Sequence, residues 1–349
     1  MRVLITGGCG FIGSHTCLVL LKKGYELLIV DSFINSKKDS LEKVKKILKD
    51  EGHCCNNQLK LIKVDLRNKK SLEDIFLNSM KENNPIKGVF HFAGLKSVSD
   101  SINNPFEYWD ANFNGSINLF SVMEKFNCST IVFSSSATIY GLSESSVLTE
   151  KDRIEPINTY GTTKFVIEKL LEDIFKKKPV KWRIANLRYF NPIGAHNSGL
   201  IGEDPLGTPN NIFPIIMRVA SRQLEKLQIF GKDWPTKDGT CMRDYIHVMD
   251  LAEGHLAAFE FLMNEKPQII SLNLGTGLGN SVLDLVNTFE QVNNIKIPYE
   301  FVDRREGDAA SVIADNSFAI SKIDWLPKRT LKDMCIDGWK WQVLNPKGY

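Results

Sequence analysis

A glycine-rich turn at residues 7–13, between a predicted strand and a predicted helix, constrains the fold of this chain most strongly. Residues 1–6 form a short β-branched run, and the segment after the turn has apolar side chains at helical spacing. A strand, a Gly-x-x-Gly-x-x-Gly turn and a helix in this order are typical of a dinucleotide-binding unit. Gly7 permits the tight turn, Gly10 lets the backbone approach a pyrophosphate, and Gly13 lets the helix pack on the strand. The first amides of the helix then supply donors for phosphate.

The acid at the end of the next strand indicates which dinucleotide binds. Residues 26–30 are predicted to form a second strand, which ends at Asp31. A dinucleotide-binding unit uses an acid at this point to hold the adenosine ribose, and a carboxylate there repels the 2′-phosphate of NADP. We therefore predict NAD as the cofactor. Lys37 and Lys38 argue for NADP, but they lie beyond the ribose-binding position, and we interpret them as solvated loop charges.

Strands and helices alternate through the first half of the chain. Helical spacing recurs over 71–83 and 112–126, and the lysine-rich stretch 37–60 is predicted to hold an exposed amphipathic helix. Further strands are predicted at 59–64, 87–92, 131–135 and 182–189, with 182–189 as the last strand of the sheet. This pattern predicts an α/β fold, a Rossmann-type doubly wound parallel sheet with helices on both faces.

After about residue 190 the alternation breaks down. Helices are predicted at 211–221, 248–264 and 282–292, and a strand at 269–274. We expect a NAD-binding domain over residues 1–189 and a smaller mixed α/β substrate-binding domain over residues 190–349. A ligand would bind between the two, at the carboxyl edge of the parallel sheet.

Composition and charge exclude several classes of protein. Basic and acidic residues number 44 and 41, and this balance gives no reason to expect a nucleic acid or a membrane as partner. No stretch approaches the length of a membrane span, and Met1 leads straight into a strand, which leaves no room for a signal peptide. The seven cysteines, including adjacent Cys54 and Cys55, form no C-x-x-C pair, so we expect reduced thiols and a cytoplasmic location. His15, His91, His196 and His247 lack short ligand spacing, so we predict no metal site.

A tyrosine and a lysine four residues apart indicate the chemistry. Tyr160 and Lys164 would lie on one face of a helix. A free tyrosine, with a pKa of about 10, is a poor base near neutral pH, and a neighbouring cation is expected to lower that pKa. Upstream, Ser134, Ser135 and Ser136 directly follow the apolar stretch 131–133. Serine, tyrosine and lysine in this order form the catalytic constellation of short-chain dehydrogenases.

Together with these motifs, the chain resembles the UDP-glucose 4-epimerase (UDP-galactose 4-epimerase) family of extended short-chain dehydrogenases, nearly from end to end. The stretches that carry the resemblance are 91–96, 134–141, 187–192, 202–205, 243–250, 279–281 and 304–308. Several stretches of this length in the family's order are far more specific than any single motif.

The resemblance implies a role for many residues. Tyr160 would be the base, Lys164 would hold the nicotinamide ribose, and Ser136 would bind the 4-hydroxyl of the sugar. Residues implied to surround NAD, with the glycines of the turn, are Gly7, Gly10, Phe11, Ile12, Gly13, Asp31, Asn35, Asp65, Leu66, Phe92, Ala93, Gly94, Lys96 and Phe190. Residues implied to hold the UDP-sugar are Asn191, Asn211, Gln228, Phe230, Arg243, Arg305, Asp308 and Val312. Guanidinium groups also suit a pyrophosphate, and only one of Arg304 and Arg305 need face it.

The implied activity is the interconversion of UDP-glucose and UDP-galactose through a 4-keto sugar that turns over and is reduced again. Ala111 stands at a position where some family members have an asparagine near the cofactor. Val312 stands where the family varies between tyrosine and cysteine, so UDP-GlcNAc and UDP-GalNAc are also expected as substrates. A homodimer is implied, formed through helices such as the one after Asn112.

Three other functions fit parts of the pattern. A nucleotide-sugar dehydratase of the same superfamily needs an Asp-Glu pair where Ala137 and Thr138 stand. A simple NAD-dependent dehydrogenase would release NADH. A catalytically silent NAD-binding regulator would not require the intact Ser136, Tyr160 and Lys164.

Overall fold

A parallel sheet of seven strands forms the centre of the fold in the computed structural model, which describes residues 1–53, 57–143, 145–206, 209, 211–305 and 307–349. Cys54 and Cys55, and position 306 within the stretch 304–308 that carries part of the resemblance, lie outside the described residues. From edge to edge the strands are β11 (Gln268–Leu274), β7 (Arg183–Tyr189), β5 (Thr130–Ser136), β4 (Gly88–His91), β1 (Arg2–Thr6), β2 (Glu26–Asp31) and β3 (Leu59–Lys63). Every pairing within this sheet is parallel, which confirms the predicted fold class.

Helices cover both faces of this sheet, as a doubly wound fold requires. Leu18, Val44 and Phe259 pack in one apolar cluster, and Phe76, Leu119 and Ile167 pack in a second cluster. The helices are α1 (Phe11–Lys22), α2 (Asp39–Asp50), α3 (Lys69–Lys81), α4 (Val98–Asn103), α5 (Pro105–Tyr108), α6 (Gly115–Lys125), α7 (Thr159–Lys177), α8 (Ile212–Ala220), α9 (Val248–Asn264), α10 (Val282–Asn293), α11 (Ser317–Ile323) and α12 (Leu331–Leu344). A π-helical segment, Trp109–Asn114, leads into α6, and a 3₁₀ turn, Ala137–Tyr140, follows β5.

The second half of the chain contributes to the large sheet, contrary to one expectation. Residues 182–189 were predicted to form the last strand, but β11 pairs in parallel with β7 along seven residues. The reason is that α9 acts as a crossover helix, packing on α1 and on the sheet before the chain enters β11. A domain boundary between residues 189 and 190 stays a prediction, and β11 and α9 belong structurally with the first half.

Shorter strands build the rest of the second half and bring its polar residues together. One mixed sheet contains β12 (Gly279–Ser281), β10 (Met242–His247), β14 (Ser311–Ala314), β6 (Val147–Leu148) and β8 (Asn191–Ile193). A separate parallel pair contains β9 (Leu227–Phe230) and β13 (Tyr299–Val302). An apolar cluster that includes Phe213, Tyr245 and Phe289 fills the space between these strands and α8, α10 and α12.

The lysine-rich segment folds as predicted over part of its length. α2 buries Leu41, Val44, Ile47 and Leu48 on one face and exposes Lys46 and Lys49, as an amphipathic surface helix does. Within the described residues, no helix combines the length and the apolar character needed to cross a lipid bilayer.

Candidate active site

A cavity of about 570 Å³ opens at the carboxyl ends of the central parallel strands. Ligands of doubly wound folds bind at this edge, because the loops that leave neighbouring strands meet there. All the cofactor residues predicted from the sequence except Phe190 line this cavity: Gly7, Gly10, Phe11, Ile12, Gly13, Asp31, Asn35, Asp65, Leu66, Phe92, Ala93, Gly94, Lys96, Tyr160 and Lys164.

The glycine turn forms one wall of the cavity, and it can adopt its conformation only because glycine has no side chain. Gly7 has a φ of +70°, and a Cβ there would lie 2.7 Å from the amide nitrogen of Ala93. A Cβ on Gly13 would collide with the carbonyl oxygen of Gly7. α1 begins at Phe11, and Gly10 precedes it without a side-chain cap, so the start of the helix is open to an anionic group.

Asp31 is fixed at the end of β2 and lines the same cavity. Its carboxylate accepts hydrogen bonds from the amides of Cys9 (2.9 Å) and Phe33 (3.0 Å) and from the hydroxyl of Ser36 (2.7 Å). Only 6% of the residue is exposed, so the carboxylate cannot swing away. This is a rigid acceptor of the kind that a ribose hydroxyl needs.

Lys37 is not the solvated loop charge that the sequence suggested, because it forms an ion pair in the structure. Its ammonium lies 2.8 Å from the carboxylate of Asp204, and both residues line the cavity. The pairing forms because the loop after β2 meets the loop around residue 204, which the sequence alone does not bring together.

Tyr160 and Lys164 lie in the first turns of α7 and face the cavity together. Asn158 caps this helix by accepting a hydrogen bond from the amide of Gly161 (2.8 Å). The ammonium of Lys164 donates to the carbonyl of Ser134 (2.7 Å) and lies 5.9 Å from the centre of the Tyr160 ring. The spacing of four residues therefore does put both side chains on one face.

Ser136 completes this group from the end of β5, although it is not among the described residues that line the cavity. The hydroxyl of Ser136 lies close enough to that of Tyr160 to influence its pKa. The oxygen of Ser136 also accepts from the amide (3.2 Å) and the hydroxyl (2.9 Å) of Thr138.

Burial controls the ionisation of the pair. Burial raises the pKa of Tyr160, the nearby Tyr189 raises it further, and the hydroxyl of Ser136 opposes the shift. Burial also lowers the pKa of Lys164 to about 8, against the attraction of Glu168. The prediction that the pKa of Tyr160 is lowered is wrong for the protein alone, because desolvation of a phenolate outweighs the neighbouring cation.

A second group of predicted residues gathers around Asp308. Its carboxylate accepts from Arg305 (2.9 Å) and from Arg243 (3.4 Å), and the Arg305 guanidinium lies 5.4 Å from the centre of the Phe230 ring. Val312 pairs in register with Arg243 between β14 and β10. Two guanidinium groups held by one carboxylate suit a pyrophosphate.

Of the two adjacent arginines, Arg304 contacts other residues than Asp308. It stacks on Trp234, with 4.1 Å between guanidinium and ring centre, and pairs with Asp233 (2.9 Å). Arg305 is therefore the member of the pair that faces Asp308.

The other residues that the resemblance assigned to the UDP-sugar, and Phe190, do not form one group in the structure. Asn211 lines the cavity, and Asn191 donates to the backbone carbonyl of Asp244 (3.1 Å). Gln228 is exposed and bonds Glu300 (3.4 Å). Phe190 is buried in a small apolar cluster against which Val312 packs.

Sequence reasoning did not single out several residues that shape the cavity. Tyr349 lines it, exchanges hydrogen bonds with the backbone of Gly202 through its hydroxyl, and packs on Trp341. Glu203 is buried and pairs with Lys96 (2.8 Å). The resemblance covered 202–205 but assigned these residues no role, and Tyr349 gave no local signal.

Among the described residues, no group of three His, Cys, Asp or Glu side chains is arranged to hold a metal ion. His15, His91 and His255 are buried, which lowers the pKa of each. His91 instead bonds Thr6 (2.8 Å) and Ser116 (2.9 Å).

The parallel sheet, the glycine turn, the acid at the end of β2 and the Ser136–Tyr160–Lys164 group define an extended short-chain dehydrogenase. The model of the family described as GDP-mannose 4,6 dehydratase matches residues 4–337. A UDP-glucose 4-epimerase of Bacillus subtilis is 46% identical over 100% of this chain and 99% of its own length. On this similarity, the chain belongs to the UDP-glucose 4-epimerase family.

Solved structures agree with this assignment. A UDP-glucose 4-epimerase from Stenotrophomonas maltophila, with bound NAD and formylated UDP-arabinopyranose, has a TM-score of 0.93 and 42% identity, covering 99% of each chain. One from Bifidobacterium longum, in complex with NAD+ and UDP, has a TM-score of 0.91 and 41% identity, covering 100% of each chain.

Proposed function

We infer that this chain is an enzyme that interconverts UDP-glucose and UDP-galactose with NAD as a bound cofactor. The observation that carries the inference is that Tyr160 and Lys164 line the same cavity as the glycine turn and Asp31. A proton acceptor and a dinucleotide site thus share one space. The family relationship supports the substrate.

The cavity residues fit NAD. The amides at the start of α1, between Gly10 and Gly13, would hold the pyrophosphate, and Asp31 would hold the adenosine ribose. Lys164 would hold the nicotinamide ribose. When bound, NAD would supply the hydride acceptor for C4′ oxidation and, in its reduced form, the hydride donor for re-reduction. The positive charge of its oxidised form would offset the burial of Tyr160.

The protein's own residues move the proton. Tyr160 takes it from the 4′-hydroxyl of the sugar, which Ser136 orients, and returns it when the 4-keto sugar has turned over. Since burial raises the pKa of Tyr160, proton removal depends on cations at the site, of which Lys164 is one. Lys164 also stays fixed by the carbonyl of Ser134.

The nucleotide must be held firmly while the sugar stays free to turn. We propose that Arg243 and Arg305, held by Asp308, bind the pyrophosphate of UDP, and that Phe230, Gln228, Asn191 and Asn211 contact the rest of the nucleotide sugar. Binding energy from the remote nucleotide then retains the mobile intermediate.

The decisive assay uses purified protein and UDP-galactose without added NAD, with the products separated. UDP-glucose should accumulate to equilibrium with no net NADH. Release of one NADH per substrate would indicate a dehydrogenase, and no turnover would indicate a silent NAD-binding protein. A 4-keto-6-deoxy sugar would indicate a dehydratase, whose Asp-Glu pair is replaced here by Ala137 and Thr138.

We propose that Val312 leaves room for an N-acetyl group at C2′, so that UDP-GalNAc is also a substrate. Overpacking a site typically costs about 1–3 kcal/mol, so Val312→Tyr should lower kcat/KM for UDP-GalNAc by about tenfold or more. Steady-state kinetics on UDP-GalNAc and UDP-galactose check this, with Val312→Ile as the control. The proposal fails if the wild type does not convert UDP-GalNAc. It also fails if Val312→Tyr keeps full activity on UDP-GalNAc, because Val312 then does not determine whether the N-acetyl group fits.

We propose a homodimer formed through the helices near Asn112. Ile102 on α4, Phe106 on α5 and Ile117 on α6 expose apolar side chains, and Phe106 is 89% exposed. An apolar patch of this kind is typical of a surface that meets a second copy. Phe106→Glu should give a monomer by light scattering at concentrations where the wild type is dimeric. Val180→Glu, equally exposed at 87% but outside these helices, should stay dimeric.

We also propose a cytoplasmic location, which the described cysteines support, since Cys9, Cys17, Cys128, Cys241 and Cys335 are free thiols.

A further inference from the structure

The three serines at the end of β5 each contact a different turn of α7. The carbonyl of Ser134 accepts from Lys164 (2.7 Å), and the hydroxyl of Ser135 donates to Glu168 (2.5 Å). The side chain of Ser136 lies near that of Tyr160 and influences its pKa. Residues 160, 164 and 168 are spaced one helical turn apart and therefore share a face. The face of α7 that carries the proposed base Tyr160 and Lys164 thus also carries the buried carboxylate of Glu168.

Glu168 is built into a fully paired polar network. Arg188 on β7 donates to both carboxylate oxygens, at 3.1 and 2.7 Å, and these side chains are only 5% and 2% exposed. Arg188 also donates to the hydroxyl of Tyr140 (3.1 Å), which donates to Asn273 on β11 (2.6 Å). The carboxylate is therefore tied to three strands of the large sheet.

We propose that Glu168, held by Ser135 and Arg188, is a positioning residue for the reaction that fixes Lys164 and Tyr160 and keeps the ammonium of Lys164 charged. The proposal rests on the proposed function. A buried ammonium that both orients the cofactor ribose and assists the tyrosine must stay protonated through turnover. A rigid negative charge one turn along the helix is a direct way to ensure this.

The charge states of the groups around Lys164 support this role for Glu168. Tyr160 and Glu168 on α7 and His91 on β4 lie near Lys164. From β7, Arg188 pairs with Glu168 and Tyr189 lies beside Tyr160. Burial lowers the pKa of His91 to about 3 and raises that of Tyr189, so both are neutral near pH 7. Of these groups, Glu168 supplies the negative charge, and it favours the protonated form of Lys164 against the effect of burial.

The test compares Glu168→Gln with Glu168→Asp. The glutamine keeps the shape but removes the charge, so the pH at which kcat falls on the alkaline side should drop by at least about one unit. The aspartate should keep the wild-type profile. Substrate KM should change little in either. An unchanged profile in a folded, NAD-loaded Glu168→Gln would overturn the proposal.

A second pair of variants tests the positioning role without disturbing a charge. Ser135→Ala should lower kcat about threefold to tenfold. Ser79→Ala is the matched control, because Ser79 is also buried and bonded to a buried guanidinium, that of Arg2 (3.1 Å), at the other end of the sheet. Its kcat should not change. Equal kcat for the two variants overturns the positioning role, whether or not Glu168→Gln folds.

A direct titration separates this proposal from the proposed function. The pKa of Lys164, followed by NMR of the labelled ammonium, should fall in Glu168→Gln and stay in Ser79→Ala. This measurement needs no turnover. Absent epimerisation by the wild type refutes the proposed function alone, whereas an unmoved Lys164 pKa refutes the role of Glu168.

Discussion

Tyr160→Phe is expected to lower kcat by about a hundredfold to ten-thousandfold while the fold and the bound NAD are retained. The ring packs as before, but the oxygen that exchanges the 4′-hydroxyl proton is gone. Tyr160 is only 6% exposed and lines the cavity with Lys164, so a phenylalanine there should keep the packing of the ring. Steady-state kinetics with UDP-galactose, together with the NAD content of the purified variant, measure the effect.

A matched phenylalanine variant elsewhere controls for general damage. Tyr25→Phe changes a partly buried tyrosine whose ring packs on Phe259, outside the cavity, and should leave kcat unchanged. If Tyr160→Phe retains kcat close to that of the wild type, Tyr160 is not the base and the proposed mechanism fails.

Asp31→Ala is expected to weaken NAD binding by about tenfold to a hundredfold. A hydrogen bond to a charged group typically contributes about 1.5–3 kcal/mol, and the carboxylate would accept from the ribose in a cavity where it is already held rigid. The wild type should carry NAD through purification, and the variant should lose part or all of it. The NAD released on acid denaturation, and the dissociation constant of added NAD, check the prediction.

The control must account for the structural contacts of Asp31, which accepts from Cys9, Phe33 and Ser36. Ser36→Ala removes one of these contacts without removing the charge, and it should retain NAD. Active wild-type protein that is purified without cofactor, or that prefers NADP, would contradict the assignment of Asp31.

The sequence was sufficient for the parts of the fold in which one strand follows another. β1 and β2 are buried almost throughout, so they appear as largely apolar runs. Close backbone contacts require glycine at positions 7 and 13 of the turn. The position of β11 was not predictable in this way. Its sequence marks a strand, but only packing of α9 on α1 determines that it joins the large sheet.

The same distinction applies to the site. The glycine turn, Asp31, Asp65 and Phe92 line the cofactor cavity at or just after strand ends, and their positions could be predicted from the order of elements. Arg243 and Asp308 are 65 positions apart, and their pairing depends on β14 lying beside β10. The contact of Lys37 with Asp204 spans 167 positions and has no local signature. The raised pKa of Tyr160 depends on burial, which spacing alone does not report.

The central claim is that hydride leaves C4′ and returns to the same carbon atom within one closed site. The most direct measurement uses UDP-galactose labelled with deuterium at C4′, incubated with purified protein in ordinary water without added NAD. The account predicts UDP-glucose that retains the deuterium at C4′, with none in solvent and none in free NADH. Loss of the label from C4′, or a need for added NAD in every turnover, would contradict it.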